Sequence, residues 1–428
     1  CYTSSDWINC ARINRYIALA YKARVCLFEG TYRKYHSVDP STGKAWEDKQ
    51  ASAKFLRECA EACEELMAAG VYSIVNNPAK VKTQYRELFT QEAVNTTEVI
   101  WARQMSVGMT TFHDLTWRYT SGSYGQRWSL DQDFVKTYLN LDGSRHTATG
   151  EEFTTEVENR DYRLSQSIIT PGYTKLVGGV STATPPDFTV TLTGYQVIKF
   201  NIDDKAYESA SVSYNSLPIM RYAEVLLNYA EAQAELGVLT DSEWALTVGA
   251  LRKRAGITGG TETLPTTVDS YLQRTFYPDV TSPVLLEIRR ERAIELVAEG
   301  MRFDDLRRWK CGSLMETLPW SGIHIPGLEQ PVDVNGDGVN DYYFTEGEVA
   351  SAPAAYKNIA VRVNQDGVGL YAEANPVSGY DLVYKTGAGD RYWYPVGRQS
   401  LYPIPAKVIR DYRNAGYTIS QNPEWDNE

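Results

Sequence analysis

The stretch Ile219-Met-Arg-Tyr-Ala-Glu-Val-Leu-Leu-Asn-Tyr-Ala-Glu-Ala-Gln-Ala-Glu-Leu236 decides the fold class. Ile219, Tyr222, Ala223, Leu226, Leu227, Ala230 and Ala234 recur at spacings of three and four, so they share one face of a helix. Arg221, Glu224, Asn228, Glu231 and Glu235 form a polar stripe of their own. Pro218 stands where a helix tolerates a missing N–H, and Gly237 where one ends. The spacing therefore predicts a helix over 219–236.

Working outward, the same punctuation repeats. Towards the C-terminus, Asp241 is placed to cap a helix Glu243–Ala255 that stops at Gly256. Pro283 opens a helix to Glu299, stopped by Gly300, and Arg302–Trp309 resumes at once. Towards the N-terminus, Arg12–Glu29 is expected to end at Gly30 and Trp46–Ala69 at Gly70. Leu130–Leu139 reads as a shorter helix with Ser129 as its N-cap. Paired helices with short links predict a mostly α fold, a tetratricopeptide-like array of helical hairpins. Ala18, Ala20, Ala23, Ala230, Ala232 and Ala234 permit close helix approach. The roughly 34-residue period of such repeats is only loosely kept. Long insertions interrupt it at 104–128, 143–218 and 311–400, rich in Gly, Thr, Tyr and Pro, with strand-like runs at Phe188–Leu192 and Tyr195–Phe200. The expected organisation is one domain over 1–428. Its helical scaffold comprises 12–70, 219–310 and a C-terminal 401–425, and its loop-rich ligand face comprises 104–218 and 311–400.

Composition narrows the function. The chain has 428 residues, 43 Lys and Arg against 54 Asp and Glu, and a net charge of −11, which argues against nucleic-acid binding by phosphate neutralisation. No apolar run approaches the roughly 18 residues of a membrane-spanning helix. The 30 tyrosines far exceed the 11 phenylalanines, so many aromatics are expected where one end of the ring is wet. Cysteines stand at 1, 10, 26, 59, 63 and 311 without a CxxC pair, and are read as free, largely buried thiols. The four histidines form no zinc-hydrolase pair, and no nucleophile elbow, phosphate loop or dinucleotide fingerprint is present.

Three constellations remain. Along Glu287–Arg302, the charges Arg292, Glu295 and Glu299 fall on the apolar stripe of Leu285, Ile288 and Leu296. With Arg302 they read as a buried structural ion network, since charges on an apolar face persist when paired. Asp333-Val-Asn-Gly-Asp-Gly-Val-Asn-Asp341 places oxygen donors at Asp333, Asn335, Asp337, the Val339 carbonyl and Asp341, a spacing compatible with a structural Ca²⁺. Phe344 stands where an EF-hand requires its bidentate Glu, and the competing reading is an Asn/Asp/Gly turn without metal. Finally, Trp117, Tyr119, Tyr124 and Trp128 lie among Gly and Ser, off any periodic stripe. Their flat faces suit the apolar faces of sugar rings, with Asp114, Arg118 and Arg127 bonding hydroxyls; loop packing is the alternative. A second cluster, Arg391-Tyr-Trp-Tyr-Pro395, reads as packing for the C-terminal segment.

Several segments together resemble the SusD/RagB family of nutrient-binding outer-membrane lipoproteins. They are Arg12–Arg24, Asn159-Arg-Asp-Tyr-Arg-Leu164, Met220–Ala232, Glu291–Trp309, Leu401-Tyr-Pro-Ile-Pro405 and Gln421-Asn-Pro-Glu-Trp425. The resemblance implies a helical-hairpin scaffold buttressing a loop-rich ligand face, and a glycan or sometimes peptide ligand. It implies no catalysis and no required cofactor. It also implies a SusC-like TonB-dependent transporter barrel as partner, and attachment to the extracellular face of the outer membrane through an N-terminal lipid. Cys1 is followed by Tyr-Thr-Ser-Ser and not by the family's Phe-Leu-Asp-like motif. It is therefore not the expected lipid site, and both the anchor and a longer N-terminal segment are expected upstream. The alternatives are a glycoside hydrolase on an all-α scaffold and a peptide-binding or protein-interaction member of the same fold.

Overall fold

The computed structural model describes residues 10–40, 42–385, 391–393, 401–422 and 425; Cys1, Tyr394-Pro395 and Pro423-Glu424 lie outside this range. The fold is mostly helical, a hairpin array with small sheets.

Helix α1 (Arg15–Tyr35) starts at Asn14, whose side chain accepts from the Ile17 N–H at 3.0 Å. Helix α2 (Ala51–Ala68) returns beside it. The cross-links Arg15–Glu65, Lys22–Glu58 and Ser52 to the Gly30 carbonyl run in opposite directions along the two helices, so the pair is antiparallel. Gly30 does not end α1, as its type suggested. It lies within the helix, and a Cβ there would stand 2.9 Å from Leu56 Cγ. The missing side chain lets the helices touch. Ile17, Ala20, Ala23 and Leu27 meet Leu56, Cys59, Cys63 and Leu66.

The decisive stretch is helix α3 (Tyr222–Leu236), stopped by Gly237 at φ 75°. Pro218 does not open it. Residues Leu217–Arg221 form a strand, β2, antiparallel to β1 (Val99–Arg103), with Pro218 opposite Ala102. The expected single helix after Asp241 is two, α4 (Asp241–Leu246) and α5 (Val248–Arg254), broken at Thr247. The cap is Thr240, which forms a reciprocal box with Glu243. Helix α6 (Pro283–Glu295) has Ser282 as N-cap, and α7 (Arg302–Arg308) follows after Gly300 at φ 84°. Ala223, Leu227 and Ala230 of α3 pack on Trp244, Val248, Leu251 and Ile288.

Between the helices lie the insertions. Strands β3 (Trp320–Ile325), β4 (Leu370–Ala374) and β5 (Tyr380–Tyr384) form an antiparallel sheet in the order β3-β5-β4. Phe188–Leu192 and Tyr195–Phe200 are not strands; Gln196 and Val197 make isolated bridges to Ser129 and Ile168. Tyr195–Phe200 is buried and Phe188–Leu192 partly so, but their backbone groups find scattered partners, so no ladder forms. The helix expected at Leu130–Leu139 shrinks to Gln132–Val135, capped by Asp131. Ser129 instead hydrogen-bonds the Leu192 N–H and the Thr191 hydroxyl. The five described cysteines are free; Cys10, Cys26, Cys59 and Cys63 are buried, and Cys311 half-buried.

Scaffold and insertions meet through charge. Glu295 accepts from Arg163 at 2.9 Å, Arg221 at 3.0 Å and Arg254. Glu98 takes Arg221 at 2.6 Å and Arg254 at 3.2 Å; Glu291 takes Arg163 at 2.5 Å and Arg252 at 3.1 Å. Glu299 holds Arg221 and Lys199, each at 2.7 Å. Burial penalises the Glu295 carboxylate, but Arg254, Arg221 and Arg163 overcome that penalty and hold its pKa well below the usual range. Burial draws Lys199 down to about 8 against the opposing pull of Glu299. The expected network is thus real but differently wired. Arg292 turns to Asp305 at 2.8 Å and Asn228 at 2.7 Å, because Glu295 is already saturated by guanidiniums from other segments. Arg302 donates to the Tyr277 hydroxyl.

Candidate functional site

The aromatic loop is pinned at both ends. Its first part is a short helical turn, Leu115–Thr120. Before it, His113 Nδ1 accepts from the Leu115 N–H, and its Nε2 lies 2.8 Å from the Asn215 carbonyl oxygen. Beneath it, Thr116 Oγ1 accepts from the Ile202 N–H. After it, the chain folds back at Gly125, whose N–H donates to the Ser121 carbonyl at 2.8 Å. A Cβ on Gly125 would stand 2.1 Å from that carbonyl oxygen, so only glycine fits. The loop then anchors to the interior, where the Val197 N–H donates to the Trp128 carbonyl and the Leu130 N–H to that of Tyr195.

The four rings form two pairs. Trp117 and Tyr124 lie 5.3 Å apart at 34°. The Arg118 guanidinium stands 5.1 Å over Trp117 and donates to the Tyr124 carbonyl at 3.3 Å, fixing the pair's spacing. Tyr124 is 67% exposed, and Trp117 is half-buried. Tyr119 and Trp128 meet edge-on at 4.3 Å. Here the sequence expectation needs correction. Tyr119 is 3% exposed, so it offers no ring face to a ligand and serves as a buried support for Trp128, itself 36% exposed. Trp117 and Tyr119 are two residues apart on a helical turn, which sends them to opposite sides. Asp114 spends one oxygen on the Ser211 N–H and hydroxyl. Arg127 is exposed, in the left-handed region at φ 49°. The arrangement offers flat apolar faces, guanidinium donors and one carboxylate.

The residues of the Asp333–Asp341 turn are brought together, but around their own backbone. Asp333 accepts from the Gly336 and Gly338 N–H groups, Asn335 from Asp337, Asp337 from Val339, and Asp341 from Val334 and Asn335. Among the described residues, no three acidic, histidine or cysteine side chains gather as metal ligands would.

Sequence reasoning missed a cavity of about 740 Å³ that begins where Ser129, Leu130 and Asp131 leave the aromatic loop. The second aromatic cluster contributes to it: Arg391 stands 4.8 Å over Trp320, and Trp393 packs on Phe303. Its walls come from several distant segments, and no local pattern could have announced it.

The profile of the SusD family matches residues 97–425 of this chain. A solved SusD-like protein from Bacteroides fragilis is 20% identical over 99% of this chain and 67% of its own, with a TM-score of 0.58. A SusD-like carbohydrate-binding protein from the same species is 20% identical over 94% of this chain and 64% of its own, with a TM-score of 0.52. The chain thus spans about two thirds of the length of these structures. No curated protein matches it.

Proposed function

The chain belongs to the SusD family, and from that premise we propose that it binds glycans at the cell surface without transforming them and passes them to a SusC-like TonB-dependent transporter barrel. The observation that carries the site is the pair of half-buried Trp117 and exposed Tyr124, held at fixed spacing by Arg118 on a loop tied to the interior. Sugar rings stack on such faces, and Arg118 and Arg127 supply donors for hydroxyls. Trp128 adds a third face. The insertions 104–218 and 311–400 present the ligand, and the helices form the supporting wall of a single domain. The seven site residues include one carboxylate, Asp114, already engaged, whereas glycoside hydrolysis ordinarily uses two. No helix among the described residues is long and apolar enough to cross a membrane; in this reading attachment is by a lipid, on the extracellular face of the outer membrane. A Ca²⁺ ion at Asp333, Asn335, Asp337, Val339 and Asp341 would brace its loop and take no part in ligand contact. Shallow aromatic sites give Kd values of roughly millimolar to micromolar, about −4 to −8 kcal/mol.

Affinity electrophoresis through gels carrying a panel of polysaccharides tests this. One polymer should retard the protein without releasing sugars, and the double change Trp117→Ala with Tyr124→Ala should weaken retardation at least tenfold. Unchanged retardation would remove the site assignment, and released product would replace binding with hydrolysis.

A further inference from the structure

The cavity beyond the aromatic loop differs in character from the rest of the molecule. Its volume, about 740 Å³, is that of a small-molecule site. Its walls are apolar and rich in rings, among them Phe276, Phe303, Trp320 and Trp393. Three charged side chains also line it, Asp131, Arg302 and Arg391. Elsewhere, many buried guanidiniums face carboxylates: Arg163, Arg221, Arg254 and Arg308 all carry salt bridges, while Arg160 is satisfied by backbone carbonyls. Among the described residues, neither Arg302 nor Arg391 does. Arg302 donates to the Tyr277 hydroxyl at 2.8 Å. Arg391 donates through Nη1 to the Leu318 carbonyl at 2.9 Å, and its Nε is buried without a hydrogen-bond partner among the described residues. Asp131 accepts from the Phe134 N–H at 2.8 Å, and burial raises its pKa to about 6. Among the described residues, the cavity therefore couples a ring-lined apolar wall to two guanidiniums against one carboxylate, Asp131.

We propose that this cavity is a second binding site, separate from the glycan platform, and that it takes an aromatic carboxylate. The aryl ring enters among Phe276, Phe303, Trp320 and Trp393, where edge-to-face contacts are favoured. The carboxylate lies on the guanidinium side, where a planar fork suits a planar anion. Leaving a buried guanidinium N–H unbonded is costly, and the anion removes that cost.

Calorimetric titration of the whole chain with trans-cinnamate tests the site, with cinnamamide as its neutral counterpart. Saturable one-to-one binding of cinnamate is expected, with cinnamamide at least tenfold weaker. Arg391→Met should weaken cinnamate at least fivefold. Ala293→Phe, which fills the cavity from its wall, should abolish binding while polysaccharide retardation persists. Trp117→Ala with Tyr124→Ala should leave cinnamate binding unchanged. Absence of saturable binding by the unmodified chain overturns the proposal, as does binding indifferent to both Arg391→Met and Ala293→Phe. Equal affinity for acid and amide overturns the assignment of charge. Failure of the glycan reading alone would leave the cinnamate result standing.

Discussion

Glu295 in the scaffold carries guanidiniums from three separate segments, whereas Arg118 on the aromatic loop hydrogen-bonds the carbonyl of nearby Tyr124. Both regions contain polar groups partly removed from water. In the scaffold the charges are buried, so each holds the others in place, and one missing partner leaves the rest uncompensated. On the loop face the backbone is fixed by short hydrogen bonds, and the exposed rings can change without unsettling the core. The difference teaches where the molecule tolerates variation: the rings that would meet a ligand are replaceable, and the charges behind them are not.

The sharpest way to break this comparison is Glu295→Gln. It keeps the shape and removes the charge facing Arg163, Arg221 and Arg254. A loss of about 3–5 kcal/mol in urea unfolding is expected; a loss below about 1 kcal/mol, the value of a surface pair, would erase the distinction. A smaller effect tests a buried carboxylate, Glu156, that has no salt bridge among the described residues. Burial raises the Glu156 pKa from 4.5 to about 7, against the hydrogen bond from Tyr195 and the charge of Arg160. The folded state therefore keeps a proton that the unfolded state has lost between those values. This group's contribution is greatest below pH 4.5 and falls as pH rises towards 7, by at most about 3 kcal/mol. Unfolding midpoints at pH 5 and pH 7.5 should differ less in Glu156→Gln than in the unmodified protein, and an identical difference would contradict the assignment. The smallest effect belongs to the loop. Gly125→Ala pushes a Cβ against the Ser121 carbonyl, so stability should drop by about 2 kcal/mol, since the obstacle is backbone and cannot swing aside. Polysaccharide retardation should weaken more than stability does. Intact retardation would show that the turn does not set the ring spacing.

The helices were legible because their pattern is local. Period-3.6 apolar faces and their punctuation located α3, α6 and α7 within a few residues, and the end of α2, which begins at Ala51 and not at Trp46. The misreadings arose where tertiary context outweighed residue type. Gly30 serves helix contact and not termination, Pro218 sits in a strand, and Thr240 caps where Asp241 was expected. The ion network was half legible. Its helix α6 members declared themselves by lying on an apolar stripe, but Arg163 is 132 residues from Glu295, and no spacing rule reaches that far. At the site, the composition of 112–128 named the rings but not their pairing. The burial of Tyr119 follows from a helical turn too short to show a period. The Asp333 turn exposed its oxygen donors in sequence, while their use by backbone N–H groups required coordinates.

The wiring around Glu295 also bears on how the chain is made. Glu98, Arg163, Arg221 and Arg254 all leave the ribosome before Glu295 exists. Until helix α6 is synthesised, three guanidiniums have no complete set of counter-charges, and burying them early would be unfavourable. Full pairing of this network therefore waits for helix α6, the last of its segments to be synthesised.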